Sequence, residues 1–473
     1  MPRMKFVTRT IACLLLAGAI FTSNLQAASG RPNIIYVLAD DLGYGDLSCY
    51  GQKTLSTPNL DKLAKEGMRF TRHYAGSTVC APSRCVLMTG LHTGHARIRG
   101  NGPGQLKSDD VTIATVLRKS GYTTGCFGKW GIGNPPPLDD PNRHGFDEFY
   151  GYVNMYHAHN YYPEWLVKNG KKIPLRNQLY EDWHEKRTGP REGAGIAKVA
   201  VDYAPALISD AAIQFIHDSH KKPFFLYYAL NIPHANNEGG GEKRIDRNGM
   251  RVPAFGKFAD KDWPAQEKGF AQMIDYIDQD IGKILKALKD RGIDDNTIVM
   301  FSSDNGPHQE GGHKMDFFDS NGPLRGMKRD LYEGGVRVPF IARWPGKIRP
   351  DATSDILSGF QDIFPTIAQL GGASFPNKVD GISMVNELTG RPSRQQLHKH
   401  LYWEFYEKGG RVAVVNRDWK AVRLNIIKNP NAPIELYNLN DDIGEENNVA
   451  DQHPDIVARM AAILKKEHVD PAE

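Results

Sequence analysis

Two adjacent carboxylates, Asp40 and Asp41, close the apolar run "NIIYVLADD", and Asp304 with Asn305 closes another, "NTIVMFSSDNG". Three carboxylates and an amide oxygen are hard donors, suited to Ca²⁺ or Mg²⁺ and poorly suited to Zn²⁺. Spacing does not choose between calcium and magnesium. Three cations stand near glycines: Arg84 in "APSR", Lys129 in "FGKWG" and Lys328 in "LRGMKRDLYEGG". Each alone reads as a surface charge. Together with a dication they suit a tetrahedral oxyanion, sulfate or phosphate. Cys80 opens "CAPSRCVLMTG", where Pro82 and Ser83 predict a helix start whose N–H groups also favour an anion. A buried apolar thiol and a thiolate nucleophile are both open readings of Cys80. His234 closes "KPFFLYYALNIPH".

These residues are far apart in sequence, so the fold must gather them. "NIIYVLADD" has the continuous apolar character of a strand buried on both faces. "TPNLDKLAKEG" predicts a helix with Thr57 as N-cap and Gly67 as stop. "TIATVLRKSG" precedes the strand "YTTGCFGKWG", "DAAIQFIHDSH" precedes "KPFFLYYALNIPH", and the helical "QMIDYIDQDIGKILKALKDRG" precedes "NTIVMFSSDNG". This alternation predicts an α/β fold with a large, mainly parallel sheet flanked by helices. Asp40/Asp41, Lys129, His234 and Asp304/Asn305 each end a predicted strand. Ligands bind beyond the carboxyl ends of open parallel sheets, so these groups are expected to converge. From about Gly390, short alternating strands and a last helix, "PDIVARMAAILKKE", predict a smaller antiparallel C-terminal subdomain. Residues 155–205, polar and rich in Tyr, His and Gly, read as a long loop or insertion near the site.

The chain has 473 residues, 24% of them charged and 40% hydrophobic, ordinary for a soluble globular enzyme. Arg3, Lys5 and Arg9, the apolar "IACLLLAGAIF" and the small residues of "NLQAAS" read as a signal peptide over 1–27. The domain division is then 28–389 for a catalytic domain and 390–473 for the C-terminal subdomain. The expected location is periplasmic or secreted, with no stable membrane insertion. The formal charge of +4 falls to about +1 when the three basic residues of the leader are discounted, which argues against a nucleic-acid partner. Cys13 leaves with the leader; Cys49, Cys80, Cys85 and Cys126 match neither a disulfide scaffold nor a zinc motif.

The run Cys80, Pro82, Ser83, Arg84, Leu87, Thr89, Gly90 fits C-x-P-S-R-x-x-L-x-T-G. With "LADDLGYGD", "GKWG", "SSDNG" and "YEGGVRVPFIARWPG", the chain resembles type I sulfatases of the alkaline phosphatase superfamily, from about Pro32 through the C-terminal subdomain. The resemblance implies that Cys80 is oxidised to Cα-formylglycine by a formylglycine-generating enzyme, so that an aldehyde hydrate stands where the sequence shows sulfur. It implies calcium held by Asp40, Asp41, Asp304, Asn305 and modified Cys80, with Arg84 steadying the hydrate and Lys129 and Lys328 binding sulfate oxygens. His234 matches the family histidine at the leaving oxygen and is the candidate general acid. His159, in "MYHAHNYYPEW", resembles a substrate-side histidine; the rings around it suit a sugar. A sulfated carbohydrate is the expected substrate.

The chain departs from the family at Gly131, where many sulfatases read G-K-W-H. His308, four residues beyond Asp304, is the expected replacement base. Two other readings remain open: a phosphoesterase of the same superfamily, and a non-catalytic protein that binds sulfated glycans.

Overall fold

In the computed structural model, described over residues 30–102, 104–186, 191–219, 222–376 and 378–470, Arg31–Glu473 forms one compact unit. The predicted signal peptide lies outside the described residues.

The main sheet contains β1 (Asn33–Asp40), β2 (Met68–Phe70), β3 (Thr123–Lys129), β4 (Glu148–Tyr152), β5 (Trp165–Lys168), β6 (Lys171–Pro174), β7 (Phe224–Pro233), β8 (Thr297–Ser303), β9 (Phe340–Arg343) and β10 (Ala352–Ser354). Their order is β10-β2-β9-β8-β1-β7-β3-β4-β5-β6. The central block β8-β1-β7-β3-β4 is parallel throughout, and the flanking pairs β8–β9, β9–β2, β4–β5 and β5–β6 are antiparallel.

Every residue of β1 is buried, because helices cover both faces. Ile34, Tyr36 and Leu38 pack in one cluster with α2 (Cys80–Thr89), α3 (Ile113–Lys119) and α6 (Ile363–Leu370). Ile35, Val37 and Ala39 pack in another with α1 (Pro58–Lys65), α4 (Ala204–Asp218) and α5 (Ala265–Asp290). The period of two along a strand sends successive side chains to opposite layers, and each fully buried aliphatic chain contributes about 1.5–3 kcal/mol. The predicted strand–helix alternation is therefore a three-layer α/β sandwich.

A separate antiparallel sheet, β11 (Leu401–Phe405), β12 (Arg411–Asn416), β13 (Trp419–Leu424) and β14 (Ile434–Asn438), follows. Trp403, Phe405, Ala413 and Val422 face Tyr74, Val79, Leu331 and Val336 of the main body. Val412, Val414 and Leu436 face Ile456, Met460 and Leu464 of α7 (Pro454–Glu467). A buried ionic knot ties this sheet to the body: Lys420 Nζ donates to Glu333 Oε1 at 2.9 Å and lies 3.5 Å from Glu445 Oε1.

Residues 155–205 differ from the loop reading. They contain a helical turn, Met155–Ala158, the paired strands β5 and β6 that widen the main sheet, and a small two-stranded sheet of Gln178–Leu179 with Ala197–Val199. Strand β6 is mostly exposed and carries Lys171 and Lys172, the polar, charged composition that keeps an edge strand from pairing further.

Candidate active site

Four neighbouring parallel strands deliver the polar residues. β1 ends in Asp40, β3 in Lys129, β7 in Pro233 just before His234, and β8 in Ser303 just before Asp304. Beyond the last paired residues the β1 chain turns sharply: Asp41 has a positive φ of 63°. That conformation is uncommon for a residue with a Cβ and clusters at functional sites. Here it is held on three sides. The Asp41 N–H donates to Asp304 Oδ1 at 3.1 Å, Asn305 Nδ2 donates to Asp41 Oδ1 at 2.7 Å, and Lys328 Nζ donates to Asp41 Oδ2 at 2.8 Å.

The helix predicted at Pro82 begins at Cys80. Arg84, one turn on, is fully buried, with Nε and Nη2 donating to Asp304 Oδ2 at 2.9 and 2.8 Å and Nη1 to the Lys129 carbonyl at 2.5 Å. Lys129 Nζ donates to Asp40 Oδ2 at 2.7 Å. Cys80 is 1% exposed. Burial pushes its thiol up, with Lys129 opposing, so it is protonated at neutral pH and a plain thiolate nucleophile finds no support.

On the other side, His234 donates from Nδ1 to the Ala235 carbonyl at 2.7 Å, and its Nε2 accepts from Lys328 Nζ at 2.9 Å. Burial holds this imidazole well below its ordinary value, Asp41 opposing, so the ring is neutral. His159 stacks on it, ring centroids 4.6 Å apart and planes within 17°, and its Nδ1 lies 3.5 Å from Glu238 Oε2. Lys328 also donates to Glu310 Oε2 at 2.8 Å.

The carboxylates crowd one another. Burial works to raise Asp40, but Lys129, His234 and Arg84 overcome it and hold Asp40 low. Asp304 goes the other way, pushed up to about 7 by burial and by Asp40 against Arg84 and Lys129. Two oxygens here, Asp40 Oδ1 and Asn305 Oδ1, are buried without a hydrogen-bond partner among the described residues. Unpaired buried acceptors beside like charges are costly unless a cation faces them. Asp40, Asp41, Asp304 and Asn305 therefore fit a hard divalent cation, and Asp40, Asp41 and His234 present ligand atoms within 4.8 Å of one another.

The family profile described as Sulfatase matches residues 32–373, and that described as N-sulphoglucosamine sulphohydrolase, C-terminal, matches 326–470. The chain belongs to the sulfatase family. It is 31% identical to the N-acetylgalactosamine-6-O-sulfatase of Bacteroides thetaiotaomicron, with 98% of this chain and 99% of that protein aligned. It is 34% identical to human arylsulfatase A over 78% of this chain and 71% of that one. Among solved structures, Ps i-CgsB in complex with k-i-k-neocarrahexaose superposes with a TM-score of 0.74 at 28% identity, covering 93% of this chain and 94% of that one. This sulfatase is a sulfuric ester hydrolase.

The expectation for His308 is corrected by the geometry. Its Nε2 donates to the Pro233 carbonyl at 3.0 Å and its Nδ1 accepts the Glu310 N–H at 3.0 Å. Burial lowers it to about 4. Both nitrogens are committed to backbone, so no lone pair is free for a base; His308 instead joins the ends of β7 and of the loop after β8. At Gly131 the φ is +77°, and a Cβ would lie 3.1 Å from Arg84 Cδ. A side chain here would be strained by the left-handed backbone and would require Arg84 Cδ to shift by a few tenths of an ångström.

Three polar residues of the site escaped the sequence reading. Asn101 Oδ1 accepts the Ala81 N–H at 3.2 Å and lies 3.7 Å from Cys80 Sγ. Glu310 bridges Lys328 and Arg329. Glu407, from the turn between β11 and β12, accepts the Asn101 N–H at 3.3 Å and lies 3.5 Å from Arg329 Nε. Adjacency to His308 in "HQEGG" was the one available signal for Glu310; Asn101 and Glu407 offered none.

Proposed function

We propose that this sulfatase removes sulfate from carbohydrate esters after export, using Cys80 as formylglycine and a calcium ion held by Asp40, Asp41, Asp304 and Asn305. The observation that carries this reading is the setting of Cys80. It is a buried thiol at a helix start, its pKa raised by burial, with Lys129, Lys328, Asp40 and Asp304 as its charged neighbours. A neutral thiol there is a poor nucleophile, and sulfur is a soft ligand poorly matched to a hard cation. An aldehyde hydrate at residue 80 supplies oxygen in both roles, and the bound cation supplies charge for the sulfate oxygens.

The side chains of the chain divide the remaining work. Lys129 and Lys328 are charge partners for sulfate oxygens, each already aimed by an aspartate. Arg84 fixes Asp304 and the first turn of α2. His234 Nε2 accepts from Lys328 Nζ in the resting site, with Nδ1 locked by the Ala235 carbonyl. As general acid it must first take a proton at Nε2, which that bond to the Lys328 ammonium can supply, before passing it to the departing sugar oxygen. His159, stacked on His234, and the aromatic residues near it border the sugar side. The named specificities of the bacterial relative and of the carbohydrate-bound structure point to a sulfated galactosamine or a related hexose, and the N-terminal leader points to a periplasmic or secreted site.

The test is to export the chain from a host that converts a control sulfatase, and to measure the mass of the Cys80 peptide and sulfate release. Formylglycine at residue 80 and turnover of N-acetylgalactosamine 6-sulfate or another sulfated monosaccharide support the reading. An unmodified thiol alongside a converted control, or faster turnover of 4-nitrophenyl phosphate than of 4-nitrophenyl sulfate, overturns it.

A further inference from the structure

Exposure rises step by step outward from the nucleophile on one side of the site. Cys80 is 1% exposed and the Lys328 side chain 3%, whereas the Arg329 and Glu407 side chains are 29% and 38% exposed. These two residues come from different parts of the fold and meet with Arg329 Nε 3.5 Å from Glu407 Oε2. Arg329 follows Lys328 directly. Glu407 is anchored by the Asn101 N–H, and Asn101 touches both Ala81 and Cys80. The path Cys80, Asn101, Glu407, Arg329, Glu310, Lys328, His234 is thus a continuous polar rim.

Two observations mark the Arg329 end of that rim. Its φ is +75°, the left-handed region, in a residue with a long side chain. Strain of that kind persists only where the surroundings over-determine it, and it clusters at ligand sites. Here the surroundings are explicit: the Arg329 N–H donates to the Thr78 carbonyl at 2.9 Å, and its own carbonyl accepts from Arg411 Nη1 of β12 at 3.0 Å. Second, its guanidinium is under-used. Nη1 donates to Glu310 Oε1 at 2.5 Å and Nε lies 3.5 Å from Glu407 Oε2, which leaves the Nη2 hydrogens without a partner among the described residues. A guanidinium offers five donors.

We propose that Arg329 and Glu407 are the specificity-determining pair that reads the hydroxyl groups of the sulfated sugar next to the ester. This rests on the carbohydrate reading above. The charge balance selects the ligand class. Glu310 and Glu407 already neutralise Arg329, so the rim favours a neutral, hydroxyl-bearing hexose or N-acetylhexosamine over a uronate or a second sulfate. One sugar hydroxyl accepts from Arg329 Nη2, and another donates to Glu407, whose carboxylate is acceptor-only. The C-terminal sheet supplies both Glu407 and the Arg411 bond that keeps Arg329 in place.

The experiment uses full-length, formylglycine-converted enzyme with Glu407→Gln and Arg329→Asn, asparagine being tolerant of the left-handed conformation. Substrates are 4-methylumbelliferyl sulfate and whichever of galactose 6-sulfate, N-acetylgalactosamine 6-sulfate and N-acetylglucosamine 6-sulfate the wild type turns over fastest. On the sugar, kcat/KM falls on the order of 10- to 100-fold, the worth of a hydrogen bond to a charged group, mainly through KM. On the aryl ester it changes by less than about threefold. Equal losses on both substrates, or no loss on the sugar, overturn the assignment. Wild-type turnover of the aryl ester with none of any sugar overturns the carbohydrate reading and this pair with it. Should Arg329→Asn fail to fold, Glu407→Gln, at an exposed turn, decides alone.

Discussion

Arg84 grips one oxygen of Asp304 with two nitrogens, Nε at 2.9 Å and Nη2 at 2.8 Å, while the other oxygen of Asp304 takes the Asp41 N–H. The helix carrying Cys80 is thereby fastened to the strand end carrying the acidic cluster. Arg84→Ala leaves a buried carboxylate uncompensated, and breaking such a pair costs about 3–5 kcal/mol. Chemical denaturation detects that loss. Arg84→Lys is no rescue, because an ammonium lacks the planar fork that meets Asp304 and the Lys129 carbonyl together. An Arg84→Lys variant as stable and active as wild type would show that the fork is dispensable.

Crowding of Asp40, Asp41 and Asp304 predicts a fold that is more stable with a divalent cation bound. Chelation with EGTA is expected to lower the melting temperature, and added Ca²⁺ to restore it, with about 2.7 kcal/mol gained at a free ion concentration 100 times the Kd. Asp304→Asn removes one charge from the cluster and shrinks this calcium dependence. A melting temperature indifferent to both chelator and ion would show that the oxygen set holds no metal.

His234 is expected to matter in proportion to how badly the leaving group needs a proton. His234→Ala should slow hydrolysis of a sugar sulfate by roughly 10²–10⁴-fold, the range for a positioned acid–base group, His234 receiving its proton from Lys328 Nζ. 4-Nitrophenyl sulfate, whose phenolate leaves unaided, should suffer far less. Comparing kcat on the two substrates checks this, and an equal loss would leave His234 with a binding role alone.

Acid sensitivity follows from two imidazoles outside the catalytic cluster. His73 stacks on Phe340 at 4.3 Å, and His157 lies between Trp165 and Tyr152. Burial lowers both to about 3. The unfolded chain binds these protons near pH 6.5 and the folded chain does not, so stability falls as pH drops below about 6.5 and continues to fall until about 3. Each group contributes a slope of up to about 1.4 kcal/mol per pH unit. His157→Phe keeps the ring and removes the titration. Denaturation at pH 7, 6 and 5 should show a shallower slope for the variant, and unchanged slopes would place the acid sensitivity elsewhere.

Strand ends were the legible part of this molecule. Asp40, Lys129, His234 and Asp304 follow apolar runs whose composition dictates buried parallel strands, and parallel strands that neighbour one another bring their ends together. Polar strands at the sheet edge were not legible: Lys171–Pro174 carries the composition of a loop because one edge of it faces water. Glu407 and Asn101 were invisible for another reason. Their closeness depends on docking of the C-terminal sheet against the body through Trp403, Phe405 and Tyr74, a contact that spans more than 300 positions. The misreading of His308 has a third source: proximity to Asp304 in sequence says nothing about its two bonds to backbone.

On the formylglycine reading proposed above, the burial of Cys80 would fix an order of events in the making of the enzyme. At 1% exposure, beneath Asn101 and enclosed by α2 and the rim, this thiol lies out of reach of any second protein once the fold is complete. A maturase that oxidises it must read the segment "CAPSRCVLMTG" as an extended chain, before the strands close over it. Whatever enzyme folds ahead of its oxidation is committed to remain a thiol. On that reading the fraction of active molecules would be set by a race between folding and maturation.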